Sequence, residues 1–203
     1  MKKLIYTAAS CLLLLLSFQA FDAKASHAAG GELIYQWISD STYRFYFKFY
    51  RDCTGIPEPP SVPMCYYNTC TNQTAQVTLN KLSTLPSGFP NGSPVATGCA
   101  NQPSTCNGGS VPGYREWWYS ADLTLPFKCN YWRFGVSINA RNNSENIVAG
   151  TFYVESTLNN SVGNGNSSPV FSVKPVPYVC LNQFYKYNNG GVDPDGDSVA
   201  FQV

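Results

Sequence analysis

Residues Thr42 to Arg51 read Thr-Tyr-Arg-Phe-Tyr-Phe-Lys-Phe-Tyr-Arg, and that alternation constrains the fold more than any other feature of the chain. A period of two puts Phe45, Phe47 and Phe49 on one face of an extended strand and Arg44, Tyr46, Lys48 and Tyr50 on the other. Tyr131 to Asn139 repeats the pattern, with Trp132, Phe134, Val136 and Ile138 inward and Tyr131, Arg133, Gly135, Ser137 and Asn139 outward. Both segments are predicted as half-buried strands.

Further strands are expected at Glu32 to Ile38, Ala75 to Leu79, Arg115 to Leu125, Val148 to Thr157, Val170 to Val173 and Ser198 to Val203. Many short strands separated by Gly, Pro and Asn, with no long helical period between them, describe an all-β, antiparallel β-sandwich. The stretches Thr54 to Tyr67, with Pro57, Pro59, Pro60 and Pro63, and Ser83 to Pro112 are too rich in Pro, Gly and Ser to be central strands. The polar run from Asn159 to Ser168 reads as a linker or long turn.

The first residues bear on the cysteines. Lys2 and Lys3 precede an apolar run from Leu4 to Phe21, and Ala23-Lys24-Ala25 is a small-x-small cleavage site. Residues 1–25 are therefore expected to be a signal peptide, leaving a mature chain from Ser26. The apolar run is short for a membrane span and contains Ser and Gln, so no span is expected after cleavage. Cys11 lies in the discarded segment, and the stretch before it lacks the Leu usual in a lipoprotein signal.

Seven cysteines then enter an oxidising compartment: Cys53, Cys65, Cys70, Cys99, Cys106, Cys129 and Cys180. No pair has Cys-x-x-Cys spacing and the one His joins none of them, so disulfides are expected rather than a metal site. Bridges between Cys65 and Cys70 and between Cys99 and Cys106 are the nearest pairings in sequence. Six cysteines nevertheless allow about 15 connectivities. The expectation is three bridges among Cys53, Cys65, Cys70, Cys99, Cys106 and Cys129, holding the long loops.

Charge narrows the function classes. The mature chain carries 10 basic and 11 acidic side chains, too balanced to hold a phosphate backbone, and nucleic acid is not expected as a partner. A single His argues against His-based triads and multi-His zinc sites, and Ser41 and Ser110 have no base set. Glu116, Asp122, Glu145 and Glu155 could supply a glycosidase pair, but strand carboxylates are usually solvated. His27, at the second mature position, could ligate copper through the new amino terminus, although an exposed terminal His is usually idle. Trp117 and Trp118, with Tyr114, form a candidate glycan-stacking platform; neighbouring strand residues point to opposite faces, so one Trp belongs to the core.

Ser26-His27-Ala28-Ala29-Gly30-Gly31-Glu32, Tyr50-Arg51-Asp52-Cys53, Asn166-Ser167-Ser168-Pro169-Val170-Phe171 and Asp193-Pro194-Asp195-Gly196-Asp197-Ser198 occur in this order along the chain. In these motifs it resembles the N-terminal region of large secreted surface proteins of gliding Bacteroidota, which often end in a gliding-motility-associated C-terminal sorting domain of the type IX secretion kind. The resemblance spans essentially the whole mature chain. One departure is Asn139-Ala140-Arg141-Asn142, where the family often has Cys-Cys-Arg-Asn, which puts the family's disulfide pattern in doubt here and makes Cys129 a relocated partner.

The tail from Pro169 resembles the opening of a cadherin-like or immunoglobulin-like repeat. On that reading the organisation is a signal peptide (1–25), an N-terminal β-sandwich (26–158), a linker (159–168) and the truncated start of a second sandwich (169–203), with the partner of Cys180 beyond residue 203; the alternative is that the last strand completes the first sandwich and Cys180 pairs within it. Asp193, Asp195 and Asp197 offer hard oxygen ligands at alternate positions, a candidate calcium site; no other cofactor is expected. The resemblance implies a non-catalytic adhesive or structural module, secreted or at the outer cell surface, meeting surface polysaccharide or other surface proteins. The competing expectation is a carbohydrate-binding accessory region of a secreted polysaccharide-degrading enzyme.

Overall fold

The computed structural model describes residues 28–98, 102–142, 150–163, 165–176, 178–188 and 190–201. The expected leader and its expected cleavage site, His27, Cys99, Glu145 and the end of the last expected strand lie outside them.

The described chain is all-β apart from one short 3-10 turn at Thr105–Asn107. Ten strands occur in the order β1 (Ala28–Ser39), β2 (Thr42–Asp52), β3 (Ser61–Asn68), β4 (Thr74–Lys81), β5 (Ser93–Pro94), β6 (Tyr114–Thr124), β7 (Trp132–Ile138), β8 (Phe152–Leu158), β9 (Val170–Phe171) and β10 (Gly191–Val192). The main sheet runs β1-β2-β6-β4-β3-β7-β8, with β5 added to β6, while β9 and β10 pair separately. All strand pairs are antiparallel.

This sheet folds over into two leaves. β1, β2 and β6 make one; β4, β3, β7 and β8 make the other. They are joined at a corner where β4 and β6 share only the pairs Asn80↔Ser120 and Lys81↔Tyr119. On the opposite side Tyr35 Oη donates to the Thr157 carbonyl at 3.1 Å, and the Ala28 amide donates to the Ala140 carbonyl at 2.7 Å. Gly31 lies where β1 meets β8: an added Cβ would sit 2.7 Å from the Lys48 carbonyl oxygen and 3.2 Å from the Phe152 ring, so only glycine permits the approach.

The alternating strands fill the space between leaves. Phe45, Phe47, Phe49, Tyr119, Trp132 and Phe134 are fully buried, with Met64, Leu79 and Val136 between them. Each such side chain contributes about 1.5–3 kcal/mol by leaving water. Trp132, Phe134, Val136 and Ile138 all face this core, as their spacing predicts.

The other face of β2 departs from expectation. Lys48 and Tyr50 are only 6% and 5% exposed, because loop 85–87 and the chain from Phe171 to Lys174 lie over that side of the leaf. Ser198 to Phe201 is not a strand.

The proline-rich stretch before Tyr67 also differs: Ser61–Asn68 is a central strand, paired on both edges. Pro63 is tolerated there because the ladder to β7 starts one residue later, at Met64↔Val136, so the missing N–H falls outside it.

Two disulfides between described residues staple loops to the sandwich. Cys53, just past the end of β2, bonds Cys106 in the 3-10 turn, and Cys70, in the β3–β4 turn, bonds Cys129 before β7, with Cα separations of 5.1 and 6.0 Å. The expected Cys65–Cys70 and Cys99–Cys106 neighbours are therefore not the pairs formed. Bridges that join elements 53 and 59 residues apart close far longer loops, and each contributes about 2–5 kcal/mol on the chain-entropy account. Cys65 was expected in a bridge and is instead an exposed free thiol, its strand being flanked by β4 and β7. Cys180, expected to find its partner beyond residue 203, is already disulfide-bonded within this chain. That partner lies outside the described residues.

Candidate functional site

The outer face of β1-β2-β6 carries a set of polar and aromatic side chains that could meet a ligand. Register sets them in rows across the leaf: Glu32, Lys48 and Trp118 in one, Tyr50 and Glu116 in the next, Ile34, Tyr46 and Ser120 on the other side. Alternation brings them to one surface, since each stands two residues from the next along its strand.

In the central row Lys48 Nζ donates to Glu32 Oε2 at 2.9 Å and lies 5.0 Å from the centroid of Trp118. Trp118 Nε1 donates to Glu116 Oε1 at 2.7 Å, and Lys174 Nζ reaches Glu116 Oε2 at 2.5 Å. Tyr50 Oη donates to Glu32 Oε1 at 3.5 Å, and burial, with the Glu32 and Glu116 carboxylates close by, pushes its pKa well above the ordinary value. This cluster is largely self-neutralised. A buried carboxylate and ammonium so close lose much hydration, which their mutual contact offsets.

Beyond it, a groove of about 490 Å³ is walled by Trp37, Tyr46 and Trp118 on the leaf and by Ser167, Pro194 and Asp195 on the C-terminal segment. Tyr46 and Trp118 meet edge to face at 5.6 Å. The wall is anchored to β1: the Tyr35 amide donates to Ser168 Oγ at 2.9 Å, the Trp37 amide to Ser167 Oγ at 3.2 Å, and the Ser168 amide to the Tyr35 carbonyl at 2.9 Å. Residues 167 and 168 thus occupy the β1 edge that β2 leaves open. The run around them is packed at its start as well, where Asn160 Oδ1 accepts the Cys129 amide at 2.7 Å and Trp132 Nε1 at 3.2 Å.

Of the expected glycan platform, Trp118 faces this groove. Trp117 points to the other side and packs against the core, with Gly92 so close to its ring that any added Cβ would collide and Lys81 Nζ 5.0 Å from its centroid. Tyr114 stands four residues from Trp118, roughly 13 Å along the strand, and does not line the groove. Trp37 and Tyr46 are the aromatic partners sequence reasoning missed. The signal existed, since Tyr46 shares the outward register of its strand, but nothing local pairs it with Trp118.

The remaining candidates are dispersed. Glu116 and Asp122 are six residues apart on one strand, roughly 20 Å, outside the roughly 5–9.5 Å of a glycosidase pair. Asp122 is exposed and bound by Arg44 at 2.6 and 2.8 Å; that bidentate bond holds its carboxyl below the usual range. Glu155 accepts from Tyr153 Oη at 2.9 Å on β8.

In the acidic turn, Asp193 Oδ1 accepts the amides of Asp195 at 2.9 Å and Asp197 at 3.3 Å, and Asp195 Oδ2 accepts the Ser167 amide at 2.5 Å. Asp193 and Asp195 are thus turned to the backbone. Among the described residues no group of three or more His, Cys, Asp or Glu side chains is placed to hold a metal ion, and no helix is long and apolar enough to cross a membrane.

Comparison with known proteins returned no matching family model, no matching curated protein and no matching solved structure.

Proposed function

We propose that this chain is a non-catalytic extracellular adhesive or structural module of a large bacterial cell-surface protein, linked to surface attachment or gliding. The observation that supports it most is the bracing of the sandwich: bridges at Cys53–Cys106 and Cys70–Cys129 tie loops to strand ends across 53 and 59 residues of sequence. Such cross-links hold a module together under load and in an oxidising medium, where they persist. Deletion of the coding segment, followed by antibody labelling of intact cells and an attachment assay, tests the proposal. Surface label on intact parent cells that disappears on deletion, together with loss of attachment, is the expected result; unchanged attachment, or label that reaches the parent protein only in permeabilised cells, rejects it.

The groove walled by Trp37, Tyr46 and Trp118 favours a second reading, a carbohydrate-binding accessory region of a secreted enzyme, because aromatic faces stack on apolar sugar faces. A glycan array separates the two: binding to one polysaccharide that is lost in Trp118→Ala and kept in Trp117→Phe supports the groove. Calcium at Asp193, Asp195 and Asp197 belongs to the adhesive proposal as an ion that would brace the turn against a neighbouring domain. Titration with calcium chloride that evolves no heat removes it.

A further inference from the structure

We propose that the seam between β4 and β6 receives an extended peptide strand from a partner protein, held by main-chain hydrogen bonds along the β4 edge and by an apolar side chain in the cleft at the seam's mouth. The inference does not depend on the adhesive reading.

The two strands are paired only at Asn80↔Ser120 and Lys81↔Tyr119, extended by the Leu82 amide donating to the Trp118 carbonyl at 2.9 Å. From that fork the strands part. Antiparallel ladders direct successive residues' main-chain groups to opposite edges, so two bonds fix the parity of each lip. The Lys81 amide donates to Pro60 at 3.0 Å, which assigns Ala75, Val77 and Leu79 to the β3 side and Thr74, Gln76 and Thr78 to the seam. The Leu125 amide donates to Ser41 at 2.9 Å, which assigns Ala121 and Leu123 to β2 and Asp122 and Thr124 to the seam. Among the described residues, these five residues pair with β3 or β2 on their other side, and their seam-facing main-chain groups meet no strand.

Open edges of this kind are normally blunted by Lys, Pro or a bulge. Thr74 to Asn80 contains no charge and no proline, and its register with β3 is unbroken. β1 shows the contrast, since Ser167 and Ser168 occupy its free edge. The core also lies open towards the seam: Val77, Ala121 and Leu123 are only partly buried and pack on it from the two lips. At the mouth lies a cleft of about 470 Å³ with Tyr66, Phe127 and Trp132 in its lining and Asn68 and Gln73 among its polar groups. Phe127 and Trp132 are 5.2 Å apart there.

Main-chain donors and acceptors recurring every second residue, about 6.6–6.8 Å, match an extended backbone, and an apolar pocket beside them accepts an alternate side chain. A single strand entering the fork meets main-chain groups on both lips; a second copy presenting its own β4 edge meets only one. Because β4 and β6 are antiparallel, the guest runs parallel to one and antiparallel to the other.

The test pans a displayed library of random peptides about ten residues long against the oxidised protein, then measures the selected synthetic peptide by calorimetry and amide exchange. Expected are enrichment of alternating sequences carrying an apolar anchor, slowed exchange at Thr74, Gln76 and Thr78, and affinity reduced at least about tenfold when alternate peptide amides are N-methylated. Gln76→Pro, which removes a seam-facing N–H and spares the β3 ladder, should weaken binding similarly. The N-methylated peptides make the same test on unaltered protein should that variant not fold. No enriched peptide, indifference to N-methylation, protection elsewhere, or a concentration-dependent dimer that protects the same amides without peptide each overturns the proposal.

Discussion

Phe45 of β2 and Phe134 of β7 meet across the sandwich with ring centroids 4.4 Å apart, and both are fully buried. They come from the two segments with the strongest alternation in the sequence and belong to different leaves, so the contact joins the halves of the core. Phe134→Ala is expected to cost about 3–5 kcal/mol, since the cavity it leaves is walled by rigid strands. Tyr131→Ala, just before the same strand and exposed, should change stability by less than about 0.5 kcal/mol. Urea unfolding of the oxidised proteins checks both, and equal losses would contradict this account of the core.

That contact also marks what could be read in advance. Residues whose role follows from spacing alone were legible: the inward row of β2, the inward row of β7, and the opposition of Trp117 and Trp118. β3 was not, because Pro63 argues against a central strand unless the ladder to β7 is known to begin at Met64. The burial of Lys48 and Tyr50 was not legible either, because the chain covering them, near Lys174, is more than a hundred residues away. The disulfide pairs escaped for the same reason. Sequence proximity favoured short loops, whereas the corner at Asn80↔Ser120 and the fold of the leaves decide which loops meet.

Lys48 and Glu32 form a mostly buried ion pair, their side chains 7% and 13% exposed. Removing one partner strands the other in a poorly hydrated site. Lys48→Met alone should therefore cost about 3–5 kcal/mol, whereas Lys48→Met combined with Glu32→Leu should recover most of that loss or exceed the parent in stability. The four proteins form a double-mutant cycle, read by thermal unfolding. Additive losses would show that the pair is not coupled.

Cysteine chemistry gives a sharper test of the fold. Alkylation of the folded protein without reductant should label Cys65 and leave Cys53, Cys70, Cys106, Cys129 and Cys180 unlabelled. Peptide mapping should recover Cys53 with Cys106 and Cys70 with Cys129. The Sγ of Cys180 lies 3.9 Å from the Gly98 carbonyl, and Cys180 too should be recovered in a bridged peptide. Label on Cys180, or a Cys65–Cys70 peptide, would contradict the arrangement. Replacing Cys70 and Cys129 together with Ser should lower stability by about 2–5 kcal/mol.

Alkaline titration reports on the tyrosines. Burial pushes the pKa of Tyr35 up to about 12 and raises those of Tyr43, Tyr50 and Tyr119 as well. In the unfolded chain the same phenols ionise near about 10. Above that pH the unfolded state has lost protons that the folded state still holds, so stability falls as pH rises. The contribution of these groups is complete below about pH 10 and, for Tyr35, is lost as the pH climbs towards about 12. Phenolate absorbance should therefore include a component that appears only as the sandwich unfolds, with the urea midpoint dropping over the same interval. Tyr35→Phe should shallow that drop, while forfeiting the hydrogen bond to the Thr157 carbonyl that ties β1 to β8. Ionisation of every tyrosine in a single step near pH 10, with the fold intact, would show that these phenols are not buried as described.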